Sequence, residues 1–232
     1  YQNLSIYQMI YSFRYLFQNK NQILYNLFQN YNFGNVDIKY FNSGRNALAF
    51  ILELVTKNKK EKKYNILVPS FTCEVVPIQI LRKKIIPIYY DLCPTSKNYF
   101  LSIKNKINSR TIGIIYQHSF GKHDDIGKLY KYCKKKKIYL IEDKALCFLS
   151  KKKKLPELQA DFAYYSFENS KTISTRMGGM LICRKKSFNL NVNYKNNVFI
   201  NFFSDLRTIF SIVSYNIKGD FGFFIRKILI FL

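Results

Sequence analysis

Four short segments of the chain place reactive or ligand-holding residue types beside turn-forming ones. The most informative begins as an apolar run, Asp161-Phe162-Ala163-Tyr164-Tyr165-Ser166, and continues through Phe167-Glu168-Asn169-Ser170 to Lys171-Thr172-Ile173-Ser174, with Gly178-Gly179 shortly after. A lysine flanked by hydroxyl residues at a strand end suits Schiff-base formation, because desolvation and nearby cationic charge favour the nucleophilic amine. A second segment, Tyr139-Leu140-Ile141-Glu142-Asp143, is apolar until it ends in paired carboxylates. A buried carboxylate is costly unless it has a cationic or hydrogen-bonded partner. Asp143 therefore calls for a partner such as a protonated pyridine nitrogen, or else serves as a helix N-cap. A third, Asn42-Ser43-Gly44-Arg45-Asn46-Ala47-Leu48, is a small-residue turn that leads from a strand into a helix. Backbone N–H groups at such a helix start favour a dianionic phosphate, although Ser-Gly there also works as a plain cap. The fourth, Val68-Pro69-Ser70-Phe71-Thr72-Cys73, carries Phe71 to Cys73 to the end of another strand.

These segments need a scaffold that brings them to one edge. Strands are expected at Ile38 to Asn42, Asn65 to Pro69, Ile85 to Tyr90, Thr111 to Tyr116, Ile138 to Ile141, Asp161 to Ser166 and Gly179 to Arg184. Between them, Arg45 to Val55, Glu74 to Lys83 and Asp124 to Cys133 carry apolar residues at helical spacing. Strand and helix in repeated alternation predict an α/β fold, a three-layer α/β/α arrangement around a mostly parallel seven-stranded sheet. Ligands of such sheets gather at the carboxyl ends of the strands, where the four segments fall.

The formal charge of +24 and pI near 9.8 raise nucleic acid or an anionic membrane surface as partners. The excess is almost all lysine, accompanied by abundant Asn, Ile, Tyr and Phe, as an AT-rich coding sequence produces. Runs such as Lys134 to Lys137 and Lys151 to Lys154 lie between apolar segments, where solvated loops and helix ends are expected. No recognition motif that interleaves arginine and aromatics accompanies them. The five cysteines, Cys73, Cys93, Cys133, Cys147 and Cys183, form no Cys-x-x-Cys pair. Reduced thiols in a cytoplasmic protein, with neither a disulfide framework nor a metal site, are the expectation. No apolar run approaches the ~20 residues that cross a bilayer.

Taken in order, the motifs resemble the DegT/DnrJ/EryC1/StrS family of fold-type I pyridoxal-phosphate enzymes, which make amino sugars on nucleotide carriers. The resemblance runs through Ser43-Gly44-Arg45-Asn46-Ala47-Leu48, Pro69-Ser70-Phe71-Thr72, Tyr90-Asp91, His118-Ser119-Phe120-Gly121, Ile141-Glu142-Asp143, Ser166-Phe167 to Lys171, and Gly178-Gly179. It covers Ile38 to Arg184, with 171 − 143 = 28 residues from acid to lysine. The resemblance implies pyridoxal 5'-phosphate as cofactor, held covalently by Lys171, with Asp143 keeping its pyridine nitrogen protonated. It implies a phosphate cradle of Gly44, Arg45, Asn46 and Ser166, and sets Cys73 where many members place an aromatic over the ring. His118 is read as structural. In two places the chain departs from the family pattern. Leu146 stands where Gln or His commonly contacts the ring, and Lys144 replaces a usually small residue.

By the same resemblance the activity is ping-pong transamination, from glutamate as the implied donor to a nucleotide-linked keto-sugar, in a homodimer. A dehydratase branch that replaces the lysine with histidine is disfavoured by Lys171. The alternatives are an impaired or truncated member of the family, or a basic nucleic-acid or membrane-surface binding protein. The expected organisation is an N-terminal helical segment over residues 1–37, a cofactor-binding large domain over 38–186, and an incomplete apolar helical region over 187–232. Most of the small C-terminal domain is expected to be missing.

Overall fold

Two strands, β2 (Asn65–Pro69) and β4 (Thr111–Gln117), are buried along their whole length. Strands covered on both faces read as continuous apolar runs, and Ile66-Leu67-Val68 and Ile112 to Tyr116 do so. The computed structural model describes residues 36–57, 59, 63–91, 99–119, 123–147, 158–168, 171, 178–184 and 190, all within one compact unit, Phe28–Val192. The remaining strands are β1 (Val36–Phe41), β3 (Ile86–Tyr90), β5 (Tyr139–Asp143), β6 (Phe162–Ser166) and β7 (Gly179–Arg184). They form a single sheet in the order β1-β7-β6-β5-β4-β2-β3. Strands β3, β2, β4, β5 and β6 pair in parallel, and β7 runs antiparallel to both β6 and β1. The sheet is therefore mostly parallel, as the alternation of elements implies.

Four helices accompany the strands among the described residues: α1 (Gly44–Thr56), α2 (Val75–Arg82), α3 (Tyr99–Lys106) and α4 (Gly127–Lys136). From β2 to β3 the chain steps outward, whereas β3 to β4 and β4 to β5 step the other way. Right-handed crossovers then put α2 on one face and α3 and α4 on the other. The packing agrees: α1 lies against α2, β6 and β7, while Phe100 of α3 meets Tyr132 of α4 edge to face at 5.4 Å.

Helix α3 was not foreseen. Its sequence, YFLSIKNK, buries only Ile103 and has little apolar periodicity, so the signal that marks the other helices is missing. Helix α4 starts later than Asp124, because the residues before Gly127 are committed elsewhere. The Asp124 amide donates to His118 Nδ1 at 3.2 Å, the Ile126 amide donates to Gln159 Oε1, and Asp125 Oδ1 takes the Gly127 amide. The helix then runs on through the lysine run. Lys134 pairs with Asp161 at 3.3 Å, and Lys137, at φ 57°, adopts the left-handed turn that lets the Ile138 amide reach Cys133 O. Cations at a helix C-terminus also complement its dipole, so this run has a structural role. The run Lys151 to Lys154 and the C-terminal region 191–232 lie outside the described residues. So does the expected N-terminal segment, apart from Val36 and Asp37, which open β1.

Candidate active site

The four segments arrive together at one edge of the sheet. β1 ends at Phe41, and Ser43 caps α1 by accepting the Asn46 amide on both its carbonyl (3.1 Å) and its Oγ (3.2 Å). Gly44, the first residue of α1, lies against Ser166 at the end of β6; a Cβ on Gly44 would come 2.7 Å from the Ser166 Cβ. Gly178 ties these ends together. Its amide donates to Asn42 O at 2.8 Å, its carbonyl accepts from the Phe167 amide at 3.0 Å, and its φ of 122° is one that favours glycine. At Gly179 any Cβ would fall 2.3 Å from the Ser43 carbonyl, so only glycine permits this approach. The start of α1 and Ser166 are thus juxtaposed, and the turn that Ser43 caps is the one the sequence offers as a phosphate cradle.

Asp143 is the last residue of β5, buried to 5% exposure. Its Oδ1 accepts the Ala145 amide at 2.9 Å and its Oδ2 accepts the Tyr164 hydroxyl at 2.5 Å. Lys144 to Cys147 form a turn rather than the first turn of a helix, so the N-cap alternative does not apply. Burial pushes the Asp143 carboxyl above the usual aspartate range, while the Tyr164 hydroxyl, the Ala145 amide and the charge of Lys171 each pull it back. Lys171 sits half-buried on a turn where its amide donates to Glu168 O at 3.0 Å, close enough for its charge to act on Asp143. An ionised carboxylate has about four lone-pair directions. Two are used by described residues, leaving capacity for a cation.

Cys73 is exposed, near enough to Tyr164 to affect its hydroxyl. The loop that bears it is tethered to β4: Thr72 Oγ1 donates to Gln117 Oε1 at 2.8 Å, and Gln117 Nε2 donates to Ser119 Oγ at 3.1 Å. Gln117 is the Cα partner of Asp143 in the sheet. Neither Gln117 nor Tyr164 stood out in the sequence, since their roles depend on strand register. Leu146 is half-buried and offers an apolar side chain where a polar ring contact is common. Arg45 is exposed and Asn46 half-buried on the first turn of α1. Gly121 lies outside the described residues.

The other face of β5 carries a separate network. Glu142 and Lys144 alternate with Asp143 and turn away from it; Lys144 Nζ lies 2.9 Å from Glu142 Oε2, both buried. The second departure from the family pattern thus places its amine on Glu142. His118, fully buried, accepts the Asp124 amide at Nδ1, so its Nε2 carries the proton and donates to Glu142 Oε2 at 2.8 Å. Glu142 Oε1 takes the Gln159 amide at 2.8 Å. Burial opposes the Glu142 charge, but the His118 bond and the Lys144 ammonium outweigh it and hold the carboxyl below the usual range. His123 stacks on His118 at 4.6 Å. His118, His123 and Glu142 bring potential metal-ligand atoms within 4.8 Å of one another. Both His118 nitrogens are engaged and Lys144 occupies the carboxylate, while His123 Nε2 has no hydrogen-bond partner among the described residues.

The DegT/DnrJ/EryC1/StrS aminotransferase family matches residues 26–195, and the chain belongs to that family. It is 29% identical over 120 residues to the GDP-perosamine synthase of Vibrio cholerae, a match covering 50% of this chain and 32% of that protein. With the GDP-perosamine synthase of Escherichia coli O157:H7 it is 34% identical over 86 residues, covering 37% and 24% respectively. The chain therefore matches about a third or less of the length of these relatives. Among solved structures, the E. coli GDP-4-keto-6-deoxy-D-mannose-3-dehydratase with bound hydrated PLP is similar, with TM-score 0.63 and 17% identity over 80% of this chain and 50% of that one.

Proposed function

We propose that this chain contributes the cofactor-binding part of a pyridoxal 5'-phosphate-dependent aminotransferase that transfers an amino group, with glutamate as donor, to a nucleotide-linked keto-sugar. The observation that carries the reading is the convergence of Lys171, Asp143, Ser166 and the start of α1 on one sheet edge, within a family of aminotransferases. The residues fit the cofactor's chemistry. The cofactor supplies an electron sink for transamination when its ring nitrogen is protonated. Asp143 supplies the counter-charge that holds that proton. Gly44, Arg45, Asn46 and Ser166 receive the phosphate, where backbone N–H groups and the positive end of the helix favour a dianion. Lys171 Nζ attaches the cofactor and moves the proton during transfer. Cys73 would stand where many members of the family set an aromatic against the ring, and would offer it less surface.

Lysine at position 171 favours aminotransfer over the dehydratase chemistry of the similar solved enzyme. Curated relatives named as GDP-perosamine synthases support a GDP-linked sugar as the substrate class. A cytoplasmic homodimer, amino-sugar formation for surface polysaccharide, and the division into residues 1–37, 38–186 and 187–232 belong to the same reading. Among the described residues no helix is long and apolar enough to cross a membrane. The test is borohydride reduction of the chain incubated with pyridoxal phosphate, followed by peptide mass mapping. One reduced adduct at Lys171, absent from Lys171→Ala, is expected. An adduct spread over several lysines, or retained in the variant, refutes the assignment.

A further inference from the structure

We propose that Tyr164 is a positioning residue for this site: its hydroxyl holds the Asp143 carboxylate in one orientation and in the ionised state that a protonated ring nitrogen requires. The proposal rests on the reading of Asp143 as counter-ion. Asp143 and Tyr164 are Cα partners on the parallel strands β5 and β6, so their side chains rise side by side from one face of the sheet. Both are buried, at 5% and 4% exposure, and the Tyr164 hydroxyl donates to Asp143 Oδ2 at 2.5 Å. The Ala145 amide on Oδ1 fixes the second oxygen, so two donors set the rotation of the carboxyl group.

Tyr164 cannot supply this function by giving up its proton. Burial and the Asp143 charge push its hydroxyl well above the usual tyrosine range, so it remains a donor throughout the working pH. On the acid, burial acts to raise proton affinity, and the Tyr164 hydrogen bond is the leading opposing influence, ahead of the Ala145 amide and the charge of Lys171. Removing the hydroxyl therefore moves Asp143 towards its neutral form, in which it no longer balances a pyridinium. A hydrogen bond to a charged group is also the stronger kind. Strand register alone puts this donor here, because a one-residue slip would send Tyr164 to the opposite face.

The first measurement uses the 232-residue chain without cofactor. Carbon-13 carboxyl labelling of aspartate, with the Asp143 resonance assigned by its loss in Asp143→Asn, gives the titration midpoint. In Tyr164→Phe, which keeps the ring, the midpoint is expected at higher pH; an unchanged or lower midpoint overturns the proposal. A deuterium isotope shift on the same resonance reads the hydrogen bond in the unsubstituted chain, whether or not the variant folds, and its absence is equally fatal. The second measurement titrates pyridoxal phosphate by absorbance. Tyr164→Phe should weaken binding several-fold at the lower of two pH values and by less at the higher, with no further loss in an Asp143→Asn background. Equal loss at both pH values, or loss that persists in the double variant, would mean that the hydroxyl acts through packing alone. If the unsubstituted chain binds no cofactor, the counter-ion reading fails, while the carboxyl titration still decides whether Tyr164 governs Asp143.

Discussion

At Gly179 the identity of one residue decides whether two strand ends can meet. An added Cβ would stand 2.3 Å from the Ser43 carbonyl carbon and oxygen and 2.5 Å from the Gly44 nitrogen, all backbone atoms that cannot rotate away. Gly113, in the middle of β4, is the contrasting case, since its nearest neighbour is the flexible Ile66 Cγ1 at 3.4 Å. Gly179→Ala is expected to destabilise the chain by about 1–3 kcal/mol through overpacking and to weaken phosphate-dependent cofactor binding. Gly113→Ala should fall within about 1 kcal/mol of the parent, because the entropy recovered in the strand offsets the tighter contact. Urea midpoints of the two variants measure this, and equal destabilisation would contradict the close-approach account. The difference matters to function because Gly179 secures the turn from which α1 faces Ser166.

On the scale of elements, β5 separates two kinds of carboxylate. Asp143 faces the candidate active site, while Glu142, one residue earlier, joins His118, Lys144 and Gln159 on the other side. His123 stacks on this network with its Nε2 lacking a hydrogen-bond partner among the described residues. Burial, and then the charge of Lys144, push His123 down to about 4, against the smaller opposing pull of Glu142 and Asp124. Its neutral form is thus preferred in the fold, and unfolding takes up a proton between about pH 4 and the ordinary histidine value near 6.5. The resulting stability is complete above that window and is lost as pH falls through it. The depressed Glu142 carboxyl adds to the acid loss, its contribution being present above the ordinary glutamate value and lost as pH falls through its lowered one. His123→Asn should flatten the dependence of the urea midpoint between about pH 6.5 and 4. A slope as steep as the parent's would remove His123 as its source.

For the whole molecule, the charge of +24 invites an assignment that the fold does not need. Lys134 and Lys137 finish α4, and Lys83 pairs with Glu53 between α2 and α1, so part of the excess is built into helix ends and ion pairs. DNA binding through phosphate neutralisation gives a slope of log K against log salt of about −0.9 per contact. We expect weak, sequence-indifferent binding of duplex and single-stranded DNA at low salt that disappears near physiological ionic strength. Submicromolar affinity persisting there, measured with labelled oligonucleotides across a salt series, would point instead to a nucleic-acid interface.

The sheet was legible in the sequence because fully covered strands such as Asn65–Pro69 and Thr111–Gln117 carry the unbroken apolar runs Ile66 to Val68 and Ile112 to Tyr116, while the intervening helices bury one stripe. Asp143 and Ser166 were legible as candidates because each ends an apolar run with a polar group that needs a partner, Lys171 because it stands among hydroxyl residues just past a strand, and the Ser43-Gly44 turn because it leads from a strand into a helix. Helix α3 was not, since with Ile103 alone buried it owes its place to contacts such as Phe100 on Tyr132 rather than to its own pattern. Nor could the sequence say which neighbour each buried polar group would find. Two residues on separate strands meet only through register: Tyr164 reaches Asp143 because Cα pairing sets them side by side, and Lys144 reaches Glu142 because alternate residues share a face. Composition and periodicity determine which residues must be buried. Only the tertiary structure decides which donor satisfies which acceptor, because that choice depends on distances between segments far apart in the chain.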